Sequence, residues 1–269
     1  MTGLDCHSGR KDWNLWGTLG YENGEYGQSE LDTGTAAIGA EKDVSGILNS
    51  ECGRYKAGIF AFTAHSEIDQ PLTGSDNEPN AYGVGLYVRG STESNFYGSL
   101  LGYIGETDYT GVNAVLESNF EYDSSDWGAR LDVGKLVPVK GGSLEADIRG
   151  YVGITSSSAD PFADSNGFEI SSIENDGFNY GASIGLNKHY ENNQKIFGVL
   201  GVDFNDIDSE LEAYTIPIES SPSYTLGRVE AGYENTTGNG RGTLRVSGLA
   251  RFGSESDAFG GRLTGIVRF

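Results

Sequence analysis

Between Asp126 and Ile154, apolar and charged residues alternate with a period of two, and this pattern constrains the fold more than any other in the chain. Trp127, Ala129, Leu131 and Val133 stand against Asp126, Arg130 and Asp132. After a turn at Val139-Lys140-Gly141-Gly142, Leu144, Ala146, Ile148, Val152 and Ile154 stand against Glu145, Asp147 and Arg149. Successive side chains of a strand point to opposite faces, so each run reads as a strand with one oily and one charged face. In a two-layer sandwich the charged face would meet bulk water and the oily one would form the core. In a membrane barrel the oily face meets lipid and the charged face lines the lumen.

The alternation recurs along the chain. Trp13, Leu15, Leu19 and Tyr21 oppose Asn14, Thr18 and Gly20, with Trp16 breaking the pattern and pointing inside. Ala36, Ile38 and Ala40 oppose Thr35 and Glu41, and Tyr82, Val84, Leu86 and Val88 oppose Gly83, Gly85, Tyr87 and Arg89. The run from Tyr55 to His65 gives no clear face, because Ile59, Phe60, Ala61 and Phe62 are consecutive. Tyr180, Ala182, Ile184 and Leu186 oppose Asn179, Ser183 and Asn187; Val229 and Tyr233 oppose Arg228 and Glu230; Leu244, Val246 and Phe252 oppose Arg245, Ser247 and Arg251. The last run places Leu263, Gly265, Val267 and Phe269 opposite Arg262, Thr264, Ile266 and Arg268. With Phe96 to Glu106 and Lys195 to Asn205 included, the count is about twelve strands, an even number that returns the chain to its starting side. The charged face is expected to carry a mixed network of Arg130, Asp132, Glu145, Asp147, Arg149, Arg228, Glu230, Arg245, Arg251 and Arg262, whose two signs can pair with each other.

Connection lengths separate the two architectures. Short turns at Gly90 to Ser94, Val139 to Gly142, Glu191 to Gln194 and Thr236 to Gly240 alternate with long acidic connections at Ile68 to Pro79, Ser156 to Asp176 and Asp206 to Pro222. Short turns on one side and long loops on the other belong to an outer-membrane barrel, and a sandwich has no need of them. With 37% apolar residues and a mean hydropathy of −0.37, the chain has no run of about 18 apolar residues, so no transmembrane helix is expected. Spanning strands need only about 9–11 alternating residues and hide in such averages. A net charge of −21 argues against nucleic acid, which requires basic patches on phosphate.

The residues with side chains suited to chemistry read as structural. His65 and Ser66 are adjacent on a strand and point to opposite faces, so they form no dyad. His189 lies beside a short turn and His7 in the unpatterned lead-in. Asp132, Glu145 and Asp147 have Arg130 and Arg149 beside them, which suits ion pairs better than acid and base catalysis. No catalytic residue, metal site or cofactor is expected. Cys6 and Cys52 have no metal-ligand spacing. Both fall on the short-turn side, the first before strand one and the second between strands two and three. They are either one disulfide or two free thiols, since a bridge requires Cα atoms within about 7 Å.

The Trp-Gly-Thr-Leu-Gly-Tyr opening at Trp16 to Tyr21, the Trp127-Gly-Ala-Arg-Leu-Asp-Val-Gly134 strand before a turn, and the terminal Arg-Phe together resemble the β-barrel translocator domain of an autotransporter, the C-terminal unit of a type V secretion protein. The resemblance covers Trp13 to Phe269. It implies an all-β, twelve-stranded antiparallel transmembrane β-barrel of the bacterial outer membrane, with long loops extracellular and both termini periplasmic. Residues 1–12 are then a remnant of the passenger or linker, with the passenger itself, most of the lumenal helix and a signal peptide absent from this chain. The terminal strand resembles the assembly signature of outer-membrane barrels, with Leu263, Val267 and Phe269 as the signal and Gly265 where a larger apolar residue is usual. Implied partners are outer-membrane lipid and lipopolysaccharide, the barrel-assembly machinery and the protein's own passenger. Members that cleave their own linker use inward acids and a helix Asn, and Asn192 and Asn193, in a turn, do not match. Two other readings stay open. One is a narrow porin or transporter with Ser156 to Asp176 folded inward as a constriction; the other is a β-sandwich adhesin.

Overall fold

The computed structural model describes residues 13–45, 53–139, 143–213, 216–254 and 256–269. Cys6, Cys52 and His7 lie outside the described residues. The elements are β1 (Trp13–Tyr26), β2 (Ser29–Asp43), β3 (Arg54–Gln70), β4 (Ser75–Ser91), β5 (Phe96–Asn113), β6 (Ser118–Pro138), β7 (Leu144–Ala159), β8 (Phe162–Ala163), β9 (Glu169–His189), β10 (Gln194–Ala213), β11 (Ile216–Ser220), β12 (Ser223–Thr236), β13 (Gly242–Phe252) and β14 (Ser256–Arg268). Twelve of them form a closed antiparallel barrel in which each strand pairs with the next and β14 returns to β1. The short β8 and β11 pair with β9 and β10 beside the wall. No helix among the described residues is long and apolar enough to cross a membrane; this wall is made of strands.

The apolar half of each alternation faces outward. Leu19, Ile38, Ile59, Leu86, Ile104, Ile184 and Leu200 are each more than half exposed, which places the large aliphatic side chains around the outside of the closed wall. The buried side chains are instead mostly polar, among them Asn14, Glu41, Asp132, Asp203 and Ser247. A closed wall satisfies every main-chain group internally and leaves no strand edge, the condition for crossing lipid.

The ambiguous third strand resolves in the same way. Ile59 is 60% exposed, while Phe60 and Phe62 turn inward against Trp16, Tyr87 and Tyr103. These inward rings need room, and glycines of the next strand provide it. A Cβ at Gly85 would run into the Phe60 ring, and one at Gly83 would stand 2.6 Å from the Phe62 ring. Each aromatic therefore lies flat over a bare backbone, which is why its strand reads as apolar on both faces.

The long acidic connections are largely strand rather than loop. Ile68 pairs with Asn77, Asp69 with Asp76 and Gln70 with Ser75, so β3 and β4 continue to a tight turn at 71–74. Ser156 pairs with Asp176 and Ala159 with Ile173, and β9 with β10 pair from Lys195 to Ala213. Beyond the apolar band both faces meet water, so the hydropathy period fades while main-chain pairing continues. The opposite rim carries the short connections and both Trp13 and Phe269. There Asn95 (φ 63) and Asn193 (φ 58) adopt the left-handed conformation that asparagine tolerates in tight turns.

Candidate functional site

The lumen has two unlike sides. On the side of β1 and β3–β5, Trp16 packs edge-on against Tyr87 at 6.2 Å and Phe62 against Tyr103 at 5.4 Å between ring centroids. Toward the short-turn rim this cluster closes on Glu41, which is 1% exposed. Glu41 accepts from Asn14 Nδ2 at 2.6 Å, Lys56 Nζ at 3.0 Å, Tyr87 Oη at 2.9 Å and Arg89 Nε at 2.7 Å. A carboxylate so deeply placed is tolerated because opposite charge and several donors compensate its lost hydration.

A second carboxylate centre is Asp132, 5% exposed. It accepts from Arg130 Nε and Nη2, both at 3.1 Å, and from Arg149 Nε at 3.0 Å. The Tyr97 hydroxyl donates to Asp147 at 2.5 Å, and the Arg130 guanidinium lies 3.7 Å from the Tyr151 ring centroid. Tyr151 donates in turn to Asp203 at 2.8 Å, and Arg228 Nε stands 3.8 Å from the same carboxylate without a hydrogen-bond partner of its own. Arg245 reaches Glu230 at 3.2 Å while lying over Phe197, and Arg251 reaches Glu22 at 2.6 Å.

The charged residues singled out from sequence stand in several groups, and Tyr151 links two of them, lying under Arg130 and donating to the Asp203 that Arg228 approaches. Arg130, Asp132, Asp147 and Arg149 are together. Arg228 goes with Asp203, Glu230 with Arg245, and Arg251 with Glu22. Glu145 stands apart near the short-turn rim, 3.7 Å from His189 Nε2. Arg262 makes no ion pair among the described residues. Glu41, Arg89, Asp203, Glu22 and the tyrosines 87, 97 and 151 were not singled out. The alternation had already put Glu41, Tyr87 and Arg89 on the inward faces of their strands, so that signal was present.

Elsewhere in the lumen, β1–β2, β6–β7, β9–β10 and β12–β14 line a cavity of about 1320 Å³ that reaches the turns at Gly27, Pro222 and Gly253 on the long-strand rim. Arg130, Arg228, Arg251 and Arg262 line it against Glu22, Asp203 and Glu230. Near this rim, Phe162 of β8 stacks on Tyr122 at 4.4 Å, and Tyr122 stacks on Tyr109 at 4.6 Å. Ser165 N–H donates to the Asn119 carbonyl at 2.8 Å, and Asn166 Nδ2 donates to the Leu116 carbonyl at 2.8 Å. These contacts fasten the 160–168 connection to the tip of the β5–β6 hairpin. Asp164 is held below the usual carboxylate range by donation from the Phe168 amide, the Ser118 hydroxyl and the Asn166 and Gly167 amides.

His65 and Ser66 point to opposite faces: His65 Nδ1 lies 2.7 Å from Asn80 Oδ1 outside, and Ser66 Oγ lies 2.9 Å from Thr33 Oγ1 inside. No group of three metal-ligating side chains is present among the described residues. Leu263, Val267 and Phe269 all face outward, 41%, 49% and 69% exposed, and Phe269 N–H donates to the Trp13 carbonyl at 3.0 Å across the seam. A Cβ at Gly265 would meet nothing within 4 Å.

A family profile described as the autotransporter beta-domain matches residues 14–200. No curated protein sequence matches the chain. Among solved structures, the β-domain of the Bordetella autotransporter BrkA superposes with a TM-score of 0.75 at 14% identity, covering 96% of this chain and 99% of that one. The translocator domain of NalP from Neisseria meningitidis gives 0.75 at 14%, covering 99% and 91%. An outer-membrane channel from Pseudomonas putida F1 gives 0.62 at 12%, covering 100% of both. At these identities the superpositions establish a shared barrel fold.

Proposed function

The chain belongs to the autotransporter β-domain family, outer-membrane transport barrels, and on that premise we propose that it carries an N-terminal passenger to the cell surface and then anchors it there. Residues 13–269 form the translocator and 1–12 the end of the linker. The short-turn rim, with both termini, faces the periplasm, and the long strands project outside. The observation that carries this reading is a lumen whose polar side stays hollow. About 1320 Å³ lined by charges of both signs, from mid-barrel to the long-strand rim, offers a polar, weakly adhesive vestibule for an extended chain. Its arginines and carboxylates are held mainly by one another, so a passing segment meets few groups that would trap it. No residue is assigned to catalysis.

Fusing a reporter domain upstream of Trp13, with an export signal, tests the proposal. The reporter should become accessible to protease added outside intact cells, and the barrel should need detergent for extraction and show heat-modifiable mobility. A properly inserted, heat-modifiable barrel whose reporter stays periplasmic would overturn the export reading. It would favour a narrow diffusion channel instead, for which the same cavity is the favouring feature. A chain that stays monomeric and folded in plain buffer would overturn the membrane reading altogether.

A further inference from the structure

The lipid-facing wall carries a depression of about 620 Å³, and strand register explains it. One row of directly paired residues runs Trp13, Lys42, Ala57, Val88, Leu100 across β1–β5. The next runs Ala40, Ile59, Leu86, Gly102, Ala129 across β2–β6. Ala40, Ala57, Gly102 and Ala129 hollow the surface, while Ile59, Leu86, Val88 and Leu100 stand around them. A Cβ at Gly102 would meet only the Gly128 carbonyl oxygen, at 3.7 Å, so this position opens toward the membrane side.

The groove has a charged end. Lys42, next to the last residue of β2, lines it, with its ammonium 5.5 Å from the Trp13 ring centroid and no carboxylate paired with it among the described residues. Leu100 and Ala129 lie well inside their strands, so the groove climbs from the short-turn rim into the apolar band. Other outward cations share this rim: Lys135 lies over Phe96 at 4.4 Å and Lys188 reaches Ser143 Oγ at 2.8 Å. Outward residues beyond the opposite edge of the band are acidic instead, including Glu67, Glu78, Glu106 and Asp123. An aromatic ring and an ammonium at the mouth of an apolar groove match a phosphate headgroup above its acyl chain. A second barrel fits this face less well, because a two-fold contact would set Lys42 against Lys42.

We propose that this groove binds one anionic phospholipid of the periplasmic leaflet, with an acyl chain along Ala57 and Gly102 and the headgroup phosphate on Lys42. The proposal rests on the outer-membrane reading and its orientation. Native mass spectrometry of the detergent-solubilised barrel tests it, after heat-modifiable mobility has shown each variant to be folded, so a failed barrel is told apart from an empty groove. The probes are phosphatidylglycerol, phosphatidylethanolamine and lipid A. The wild-type barrel should retain one phosphatidylglycerol in preference to the other two. Lys42→Gln should weaken that retention about fivefold, the ratio for one cation at an anionic lipid surface. Gly102→Leu should abolish it, and Lys188→Gln, on the same rim outside the groove, should leave it unchanged. Undiminished retention in both Lys42→Gln and Gly102→Leu, a preference for lipid A, or a dimer lost on Gly102→Leu would each overturn the proposal.

Discussion

Replacing Glu41 with glutamine tests whether the lumen's ion pairs hold the barrel together. The carboxylate is 1% exposed and serves two cations, Lys56 and Arg89, together with Asn14 and Tyr87. Breaking a buried pair by neutralising one partner costs about 3–5 kcal/mol. Here the cations keep 27% and 46% of their side-chain surface, so water recovers part of their hydration. The low end applies, about 3 kcal/mol. With a urea dependence of roughly 2 kcal/mol per molar, the unfolding midpoint of the refolded barrel should fall by about 1.5 M. Glu121→Gln, on an exposed face of the β5–β6 extension, should stay within about 0.5 kcal/mol of the native protein. Equal, negligible shifts for Glu41→Gln and Glu121→Gln would refute the reasoning and mean that lumenal water screens Glu41 as well as bulk solvent does.

Arg149→Leu leaves Asp132 with Arg130 alone, so the expected loss is about 1–2 kcal/mol together with altered conductance in planar bilayers; unchanged conductance and midpoint would place Arg149 in bulk water. Deleting Phe269 removes one seam hydrogen bond and an outward ring, so insertion in cells should drop while the refolded barrel keeps nearly the same midpoint. Gly265→Leu should insert at least as well as the native chain, and a severe defect would show that the position is not free on the lipid side. Asp164 has a lowered pKa in the folded loop, so its contribution is present above the ordinary aspartate value of about 3.9 and is lost as pH falls through the lower folded value. Pepsin should therefore cut between Phe162 and Phe168 only as pH drops below that range, and Asp164→Asn should be cut earlier. Identical cleavage profiles would sink this account.

The wall was legible because one physical rule governs it: within the band, a strand between lipid and lumen must alternate. Arg130, Asp132 and Arg149 could be placed together from spacing alone, since β6 and β7 are hairpin partners joined by a short turn. The centre at Glu41 was harder to read. Its partners come from β1, β3 and β4, and period two assigns a side chain to a face without giving its height in the barrel. Phe60 and Phe62 were obscured because an aromatic ring suits either face when a glycine lies beneath it. The protruding ends of β3, β4, β9 and β10 read as loops because water on both sides removes the contrast that marks a strand.

The seam between β1 and β14 joins residues at opposite ends of the sequence: Thr18 donates to the Leu263 carbonyl, 245 positions away. Every other barrel strand can pair with its hairpin neighbour as soon as that neighbour exists, but the outer edge of β1 has no partner until the last residues are in place. For nearly the whole time the sheet is growing, one edge of it stands open with a full row of unsatisfied amides and carbonyls. In lipid such an edge is prohibitively costly, and in water it invites pairing with any other strand. Closure over so long a loop is also intrinsically slow. The β1–β14 seam is therefore the contact whose formation turns an open sheet with two unsatisfied edges into a wall with none, and its ladder from Asn14–Arg268 to Tyr26–Ser256 closes both edges at once.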